Sequence, residues 1–400
     1  MKRFVVLLVA ASVLLSGCVW DAERRLEEGA LDEISNESFY SVPDDVAAGE
    51  PGEVLRSLPI LSAPLGVDAW RIIYHTTDVN GRDVLSSAIV AVPEGEPPAG
   101  GTPIVSWGHP TTGAAQGCAP SVLIDPFLMM TGLSEFIAAG YAMVATDYPG
   151  MAVRGDSSYL IGVTEGNSML DAARAARTLS PGLSTDVVLW GHSQGGQAAL
   201  FAGQQAAAGY APDLDVIAVA AAAPAADLSE LMTDDIDYME GVTITAYAFP
   251  SFEAAYADRF TKDELTAILT DDGAAAVDEL ASICLLTQGD RLHAVAKPLI
   301  GNFVRSNPAT TEPWQTLLAE NSAGASAIGV PVFIGQGLAD TTVDPSSTKS
   351  YVQHLCSTGE NVTFREFDGI SHLLAGSVSV PDVLPWLRGI REGSAPTGSC

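Results

Sequence analysis

The residues of this chain best suited to chemistry surround a serine in a glycine-rich turn. The run Gly191-His192-Ser193-Gln194-Gly195 follows an apolar segment, 187–190, typical of a buried strand, and precedes a helix-like segment that begins near 197. Such a strand–turn–helix makes a sharp turn from which the serine hydroxyl projects above the sheet edge. A serine hydroxyl is a weak nucleophile that needs a base and an oriented geometry. The pattern predicts Ser193 as a covalent nucleophile.

Two later loops contain the partners that Ser193 needs. Asp340 follows the apolar run 331–335, and His372 follows the run 361–367. A nucleophile of this strand–turn–helix type is followed in the chain first by its acid and then by its histidine, each in a loop after a strand. We expect His372 to act as general base and acid, and Asp340 to hold its tautomer and stabilise the imidazolium. Asp344 is the alternative acid.

The other histidines fit the role of base less well. His75 and His109 precede the serine in the chain, and His192 lies in the turn itself. His293 falls in a long helical stretch, and His354 fits an exposed helix position. Asp368 is so close to His372 that we interpret it as a residue that shapes the turn.

An acyl-transfer site also needs two backbone N–H groups directed at the negative charge that develops on the carbonyl oxygen. One is expected from Gln194, the residue after the nucleophile. The other is expected from the loop 108–113, which follows the apolar strand 103–107 and contains both Gly and Pro. Within it we favour Thr112 over Thr111.

The elements that must position these groups alternate along most of the chain. Asn80-Gly81 marks a hairpin between two early strands. Strands followed by helices indicate a mostly parallel sheet with helices on both faces, and with the serine turn they predict an α/β-hydrolase fold. Strands are predicted at 70–77, 87–92, 103–107, 141–146, 187–190, 216–223, 331–335 and 361–367, and helices at 133–139, 167–179 and 197–207.

The alternation stops between 227 and 327, where the sequence is helical in pattern, for example at 261–276 and 280–286. We interpret this stretch as a helical cap, or lid, inserted between two parts of the core, 61–226 and 328–400. Residues 18–60 are acidic and rich in turn formers, and are interpreted as a tether that then lies along the body of the domain.

The N-terminus has the features of an export signal. Lys2 and Arg3 precede an apolar run, 4–15, that is too short to span a bilayer comfortably. The run ends in Leu-Ser-Gly-Cys18, which resembles the lipobox of bacterial lipoproteins. We therefore expect a signal peptide at 1–17, lipidation of Cys18 and an envelope lipoprotein anchored outside the cytoplasm. The alternative is an ordinary cleaved signal peptide and a soluble secreted protein.

The amino-acid composition limits the kinds of molecule that this protein is expected to bind. The 400 residues include 49 Asp+Glu and 19 Lys+Arg, a net charge of −30, which makes nucleic acid a poor partner. No metal-ligand spacing and no phosphate-binding glycine motif is evident, so we expect no metal and no cofactor. We expect a monomer. Without Cys18 four cysteines remain, and in an exported chain they suggest two disulfides with three possible connectivities.

Several further motifs stand beside the proposed catalytic residues. With the serine turn 191–196, the acid loop 337–343 and Ser371-His372, they are His109-Pro110-Thr111-Thr112-Gly113, Cys118-Ala119-Pro120-Ser121 and Asp147-Tyr148-Pro149-Gly150. Together these motifs resemble the secretory, lipase A-like family of α/β-hydrolases, over residues 60–400. The resemblance implies a helical lid, a disulfide between Cys118 and Cys284, and a second disulfide between Cys356 and Cys400.

These features together predict a serine carboxylester hydrolase, a lipase or esterase of class EC 3.1.1, that acts on an ester or lipid through an acyl-enzyme on Ser193. Two alternatives remain at this point. One is a serine peptidase of the same fold that releases short peptides. The other is a binding lipoprotein that keeps the fold without catalysis.

Overall fold

The central feature of the computed structural model is a nine-stranded sheet, in the part of the chain that the structure describes: residues 24–25, 27–29, 32, 38–234, 237–394 and 398–400. The strand order across the sheet is β1-β2-β3-β5-β4-β6-β7-β8-β9. The strands are β1 (Val54–Pro59), β2 (Val67–Thr77), β3 (Asp83–Pro93), β4 (Thr102–Gly108), β5 (Ala142–Thr146), β6 (Leu183–His192), β7 (Asp215–Ala222), β8 (Val332–Gly337) and β9 (Val362–Phe367).

The sheet is mostly parallel. The strands β5-β4-β6-β7-β8-β9, in their order across the sheet, pair in parallel. Strands β1, β2 and β3 form an antiparallel meander that joins β5. The predicted hairpin is present between β2 and β3, where Thr77 pairs with Asp83 and Gly81 has a positive φ of 74°. Since the carboxyl ends of parallel strands share one edge of a sheet, the loops after β4, β6, β8 and β9 come together there.

Helices cover both faces of this sheet. The helices are α1 (Leu133–Ala138), α2 (Gly162–Leu179), α3 (Gln194–Ala207), α4 (Leu228–Asp234), α5 (Met239–Ala255), α6 (Lys262–Thr266), α7 (Asp271–Ser282), α8 (Gly289–Ala296), α9 (Trp314–Glu320), α10 (Pro345–Ser357) and α11 (His372–Arg391). Helices α2, α3 and α10 contribute to the apolar core on one face, and α1 and α11 contribute to the core on the other.

The six helices α4 to α9 lie between β7 and β8 and have an apolar core of their own. Its aromatic centre is Trp314, whose ring lies 4.7 Å from that of Phe249 and 5.1 Å from that of Phe252, centroid to centroid. The helical pattern at 261–276 corresponds to two helices separated by a short break. Thr261 and Thr270 each accept a hydrogen bond from a backbone N–H three residues later, and so begin two separate helices, α6 and α7.

Part of the segment 18–60, interpreted from the sequence as a tether that then lies along the body of the domain, belongs to the sheet and the core. Strand β1 forms the edge of the sheet next to β2, and Phe39, Tyr40 and Val42 are buried. The expected signal peptide at 1–17 and the lipidation site Cys18 lie outside the described residues. Within the part of the chain that is described, no helix combines the length and apolar character needed to cross a membrane.

Candidate active site

Ser193 lies in a strained turn at the end of β6 and caps α3. Its φ of 58° and ψ of −119° are unusual for a residue with a side chain. The turn is held by two hydrogen bonds, from Ser193 N–H to the Ala222 carbonyl (3.0 Å) and from Ala225 N–H to the Ser193 carbonyl (3.1 Å). Both bonds tie the turn to the end of β7, so the neighbouring strand supports the strained conformation that exposes the hydroxyl.

The glycines of this turn are required by close backbone contact. A Cβ on Gly191 would lie 1.8 Å from the carbonyl oxygen of Gly195, and a Cβ on Gly195 would lie 1.9 Å from that of Gly108. The second contact places the turn directly against the end of β4. The loop expected to supply the second oxyanion donor therefore begins beside the nucleophile.

The structure brings the three expected catalytic side chains together. The Ser193 hydroxyl lies 2.8 Å from Nε2 of His372, and Nδ1 of His372 lies 2.8 Å from Oδ2 of Asp340. His372 is the first residue of α11, and its side chain is 13% exposed while that of Asp340 is fully buried. The hydroxyl can donate to a neutral imidazole, which in turn donates to the carboxylate.

Asp340 is held in its loop as an anion. Its Oδ1 accepts the backbone N–H groups of Thr342 and Val343, both at 2.9 Å, and its Oδ2 also accepts the Gln336 side-chain amide at 3.1 Å. Burial acts to raise the pKa of Asp340, but the hydrogen bond and charge of His372, together with the two backbone amides, leave that pKa below its ordinary value. The ionised form is the one that can stabilise an imidazolium.

The alternative acid is occupied elsewhere. Asp344 is exposed and caps α10, where its Oδ1 accepts the backbone N–H of Ser346 at 2.7 Å. His75 and His354, two of the other histidines, have partners far from the nucleophile: His75 pairs with Asp83 at 2.9 Å, and His354 donates to the Gly324 carbonyl at 3.0 Å.

His192 supports the base without contacting the nucleophile's hydroxyl. Its Nε2–H donates to the backbone carbonyl of His372 at 2.9 Å, and the two rings lie 5.0 Å apart. Burial, and secondarily the charge of His372, lower the pKa of His192 to about 3, so its ring is neutral. The sequence excludes His192 as a base but indicates no other role for it. Its place at the end of a buried strand, one residue before the serine, is the signal that could have indicated this role.

Gln336 is a second supporting residue that the sequence analysis missed. It is fully buried in β8, and its amide donates to Asp340 and to the Val343 carbonyl while its oxygen accepts the Thr348 hydroxyl at 2.7 Å. A glutamine at the end of an apolar strand, just before the acid loop, is the available sequence signal.

The loop after β4 is fixed from several sides. Thr112 is fully buried, its hydroxyl donates to the Cys118 carbonyl at 2.8 Å, and its carbonyl accepts the N–H of Leu286 at 3.3 Å. The Thr111 hydroxyl is bonded instead to that of Tyr159, at 3.1 Å. Thr112 is thus the more tightly held of the two threonines, and Gln194 begins α3 directly after the nucleophile.

The four cysteines that the structure describes form two disulfides, with the pairing that the family resemblance implied. Cys118–Cys284 connects the loop after β4 to the segment that follows α7, and Cys356–Cys400 connects α10 to the C-terminus. A Cβ on Gly113 would lie 2.5 Å from Sγ of Cys118, so the first disulfide packs against the same loop as Thr112. Among the described residues, no group of three or more His, Cys, Asp or Glu is placed to hold a metal ion.

The chain is similar in sequence and in fold to known lipases. The sequence model of the secretory lipase family matches residues 122–398. A probable inactive lipase of Mycobacterium tuberculosis is 25% identical, over 88% of this chain and 81% of its own length. Lipase A of Moesziomyces aphidis is 23% identical, over 98% of this chain and 86% of its own.

The structure of Candida antarctica lipase A in its closed state superposes with a TM-score of 0.74 at 20% identity, covering 90% of this chain and 87% of that one. This likeness shows the α/β-hydrolase fold. The family match extends over more than half of the sequence, and the chain therefore belongs to the secretory lipase family.

Proposed function

We propose that this chain is an exported serine carboxylester hydrolase, a lipase or esterase of class EC 3.1.1, that acts through an acyl-enzyme on Ser193. The observation that carries the proposal is the continuous hydrogen-bond chain from Ser193 through His372 to Asp340. Membership of the secretory lipase family supports the reaction class. One relative is named a probable inactive lipase, so the case for activity here rests on these three side chains.

In the acylation step, His372 Nε2 takes the hydroxyl proton while Ser193 Oγ attacks the carbonyl carbon of the ester. The carbonyl electron pair moves onto oxygen, where the backbone N–H groups of Gln194 and Thr112 are the proposed donors. When the tetrahedral intermediate collapses, the bond to the alcohol oxygen breaks and the leaving alkoxide takes the proton from His372. Asp340 stabilises the imidazolium throughout.

In the deacylation step, water replaces the alcohol. His372 removes a proton from the water, whose oxygen attacks the acyl carbon, and the bond to Ser193 Oγ breaks as the serine recovers the proton. The products are a carboxylic acid and an enzyme in its starting state, with Ser193 protonated and His372 neutral.

Substitution of the nucleophile tests this mechanism. Ser193→Ala is expected to abolish hydrolysis of p-nitrophenyl esters and labelling by a fluorophosphonate probe, with unchanged thermal unfolding. Ser377→Ala is the matched control, because Ser377 is exposed on α11 and its hydroxyl donates to the Leu374 carbonyl at 3.1 Å. Hydrolysis retained by the Ser193 variant would exclude the mechanism, as would failure of the native protein to react with the probe.

Apolar side chains next to the base support an ester with an apolar acyl or alcohol group. Leu373 and Leu374, directly after His372, are 84% and 51% exposed. We propose that residues 227–327 form a lid that completes a pocket for such a group. A chain-length series of p-nitrophenyl esters, measured below and above the solubility limit, should show a preference for longer acyl chains. Faster cleavage of peptide anilides would favour a peptidase instead.

The proposed location is the outer face of a membrane, through lipidated Cys18. Radiolabelled palmitate should be incorporated into the native protein, which should then partition into detergent, whereas Cys18→Ser should release it into the aqueous phase. Absence of label in the native protein would favour a soluble secreted enzyme.

A further inference from the structure

A carboxyl group is completely buried behind the nucleophile, in the first turn of α2. Glu165 accepts two hydrogen bonds through the same oxygen, Oε1: one from the side-chain amide of Gln194 at 2.7 Å and one from the backbone N–H of Leu160 at 3.1 Å. Gln194 is the residue after the nucleophile, and Leu160 has a positive φ of 59°. A single oxygen thus joins α2, a strained turn and the first residue of α3.

Glu165 is the partner that holds the Gln194 side chain. That side chain is almost completely buried, and within the described part of the chain its amide nitrogen bonds to Glu165 while its own oxygen has no hydrogen-bond partner. The side chain and backbone N–H of Gln194 share one Cα, and α3 begins at that residue. Moving the Gln194 backbone would therefore break or lengthen the bond to Glu165.

The surroundings favour a neutral carboxylic acid. Three buried oxygens lack a hydrogen-bond partner among the described residues: Oε2 of Glu165 and the side-chain oxygens of Gln194 and Gln197. With Glu165 ionised, its Oε2 can only accept a hydrogen bond, whereas a proton on Glu165 turns this buried oxygen into a donor. Burial raises the pKa of Glu165 well above its ordinary value, and the bonds from Gln194 and Leu160 offset this only in part.

We propose that Glu165, as a neutral acid, is a positioning residue that fixes Gln194 and so aligns its backbone N–H with the oxyanion of the reaction. The inference rests on the ester hydrolysis proposed above. Oxyanion donors act mainly in the transition state, where the charge develops, so misalignment should lower kcat while leaving KM nearly unchanged.

The test uses substitutions on both sides of the Glu165–Gln194 contact. Glu165→Leu is expected to lower kcat on p-nitrophenyl butyrate by roughly ten- to a hundredfold, less than complete loss of one oxyanion donor. It should weaken binding of a trifluoromethyl ketone, which mimics the tetrahedral intermediate, by a similar factor. Glu165→Gln keeps an acceptor and adds a donor, and should stay within about threefold of the native kcat.

A double-mutant cycle separates positioning from a general loss of stability. If Glu165 acts through Gln194, then Gln194→Leu should lower kcat as well, and the Glu165→Leu/Gln194→Leu variant should be no worse than the poorer single variant. Asp171→Asn is the control. Asp171 is a fully buried carboxyl on the same helix as Glu165, and it accepts hydrogen bonds from Thr76, Tyr210 and Arg174, away from the nucleophile. It should lower stability and leave kcat unchanged.

A native kcat in Glu165→Leu, or fully multiplicative losses in the double variant, would overturn the proposal. A Glu165→Gln variant as poor as Glu165→Leu would also overturn it, because the neutral amide should replace a neutral acid. If Glu165→Leu fails to fold, the Gln194→Leu and Glu165→Gln variants still decide the question. Failure of the proposed function is distinguishable, since it would appear as hydrolysis by the Ser193→Ala variant.

Discussion

His192 lies beside the nucleophile in the chain but contacts the backbone of the base. Replacing it with Phe keeps an aromatic ring near His372 and removes the N–H that holds the His372 carbonyl. We expect kcat to fall by at least about tenfold, because a small displacement of the base weakens proton transfer. The free energy of unfolding should fall by about 1 kcal/mol, since a hydrogen bond is lost.

His354→Phe is the control for that variant. It removes the same type of bond, from a histidine N–H to a backbone carbonyl, at a position far from the base. Kinetics of p-nitrophenyl butyrate hydrolysis and urea unfolding would be measured on both. Equal kcat values in the two variants would contradict a role for His192 in positioning His372.

The burial of His109 leads us to expect a loss of stability in acid. His109 is buried in the loop after β4, donates to the Pro110 carbonyl, and burial lowers its pKa to about 4 from an ordinary 6.5. Between these two values the unfolded chain binds more protons than the folded chain, so stability present above pH 6.5 is lost as the pH falls towards 4. The loss attributable to His109 should be about 3 kcal/mol.

The measurement is the free energy of unfolding at pH 7 and pH 4 for the native chain and for His109→Asn. The asparagine cannot become a cation, so the variant should lose less stability on acidification than the native chain. An identical loss in both would show that His109 does not contribute.

The three proposed catalytic residues were predictable because their types, order and positions after strands follow from chemistry and chain direction. The structure brings them within hydrogen-bond distance of one another. Glu165, Gln336 and His192 were not identified. Their roles depend on which helices and strands are neighbours, and a contact such as the one between α2 and α3 joins residues 29 positions apart.

At the scale of elements, the turn after β6 and the end of β4 depend on each other. Gly195→Ala places a methyl group where the Gly108 carbonyl lies, so either the turn or the end of β4 must move. We expect activity to fall by more than about a hundredfold and unfolding free energy to fall by about 3 kcal/mol.

Gly117→Ala is the matched control, because a Cβ at Gly117 meets nothing within 4 Å although the residue lies close in the chain to the loop 108–113 after β4. Ester hydrolysis and thermal unfolding would be compared in the two variants. A Gly195→Ala variant as active as Gly117→Ala would contradict the close contact.

Strands and helices with strong periodicity were predictable, and others were not. Strand β1 was missed because its surroundings are acidic and rich in turn residues, and its pairing partner β2 is what makes it a strand. Helix α11 was missed because Pro381 and Pro385 suggest helix ends. It continues through both, with Ala375, Val380, Val383 and Leu387 packed against the sheet.

For the whole molecule, the excess of acidic residues predicts a dependence on salt. A net charge of −30 produces mutual repulsion that is stronger in the compact state than in an expanded chain. Raising sodium chloride from about 10 mM to 1 M shortens the screening length roughly tenfold, and should raise the melting temperature by roughly a few degrees. Calorimetry at both concentrations measures this, and a lower melting temperature at high salt would contradict it.

The Cys118–Cys284 disulfide has a consequence for when the enzyme matures. Such bonds form in oxidising surroundings and are rare in the cytoplasm. Before the proposed export, a newly made chain would lack the crosslink that packs against Gly113 and near Thr112. The loop after β4 would then be held less tightly while the chain is still close to the cell's own lipids. In this view the disulfide delays activity, and ester cleavage begins only after the chain has left the compartment that made it.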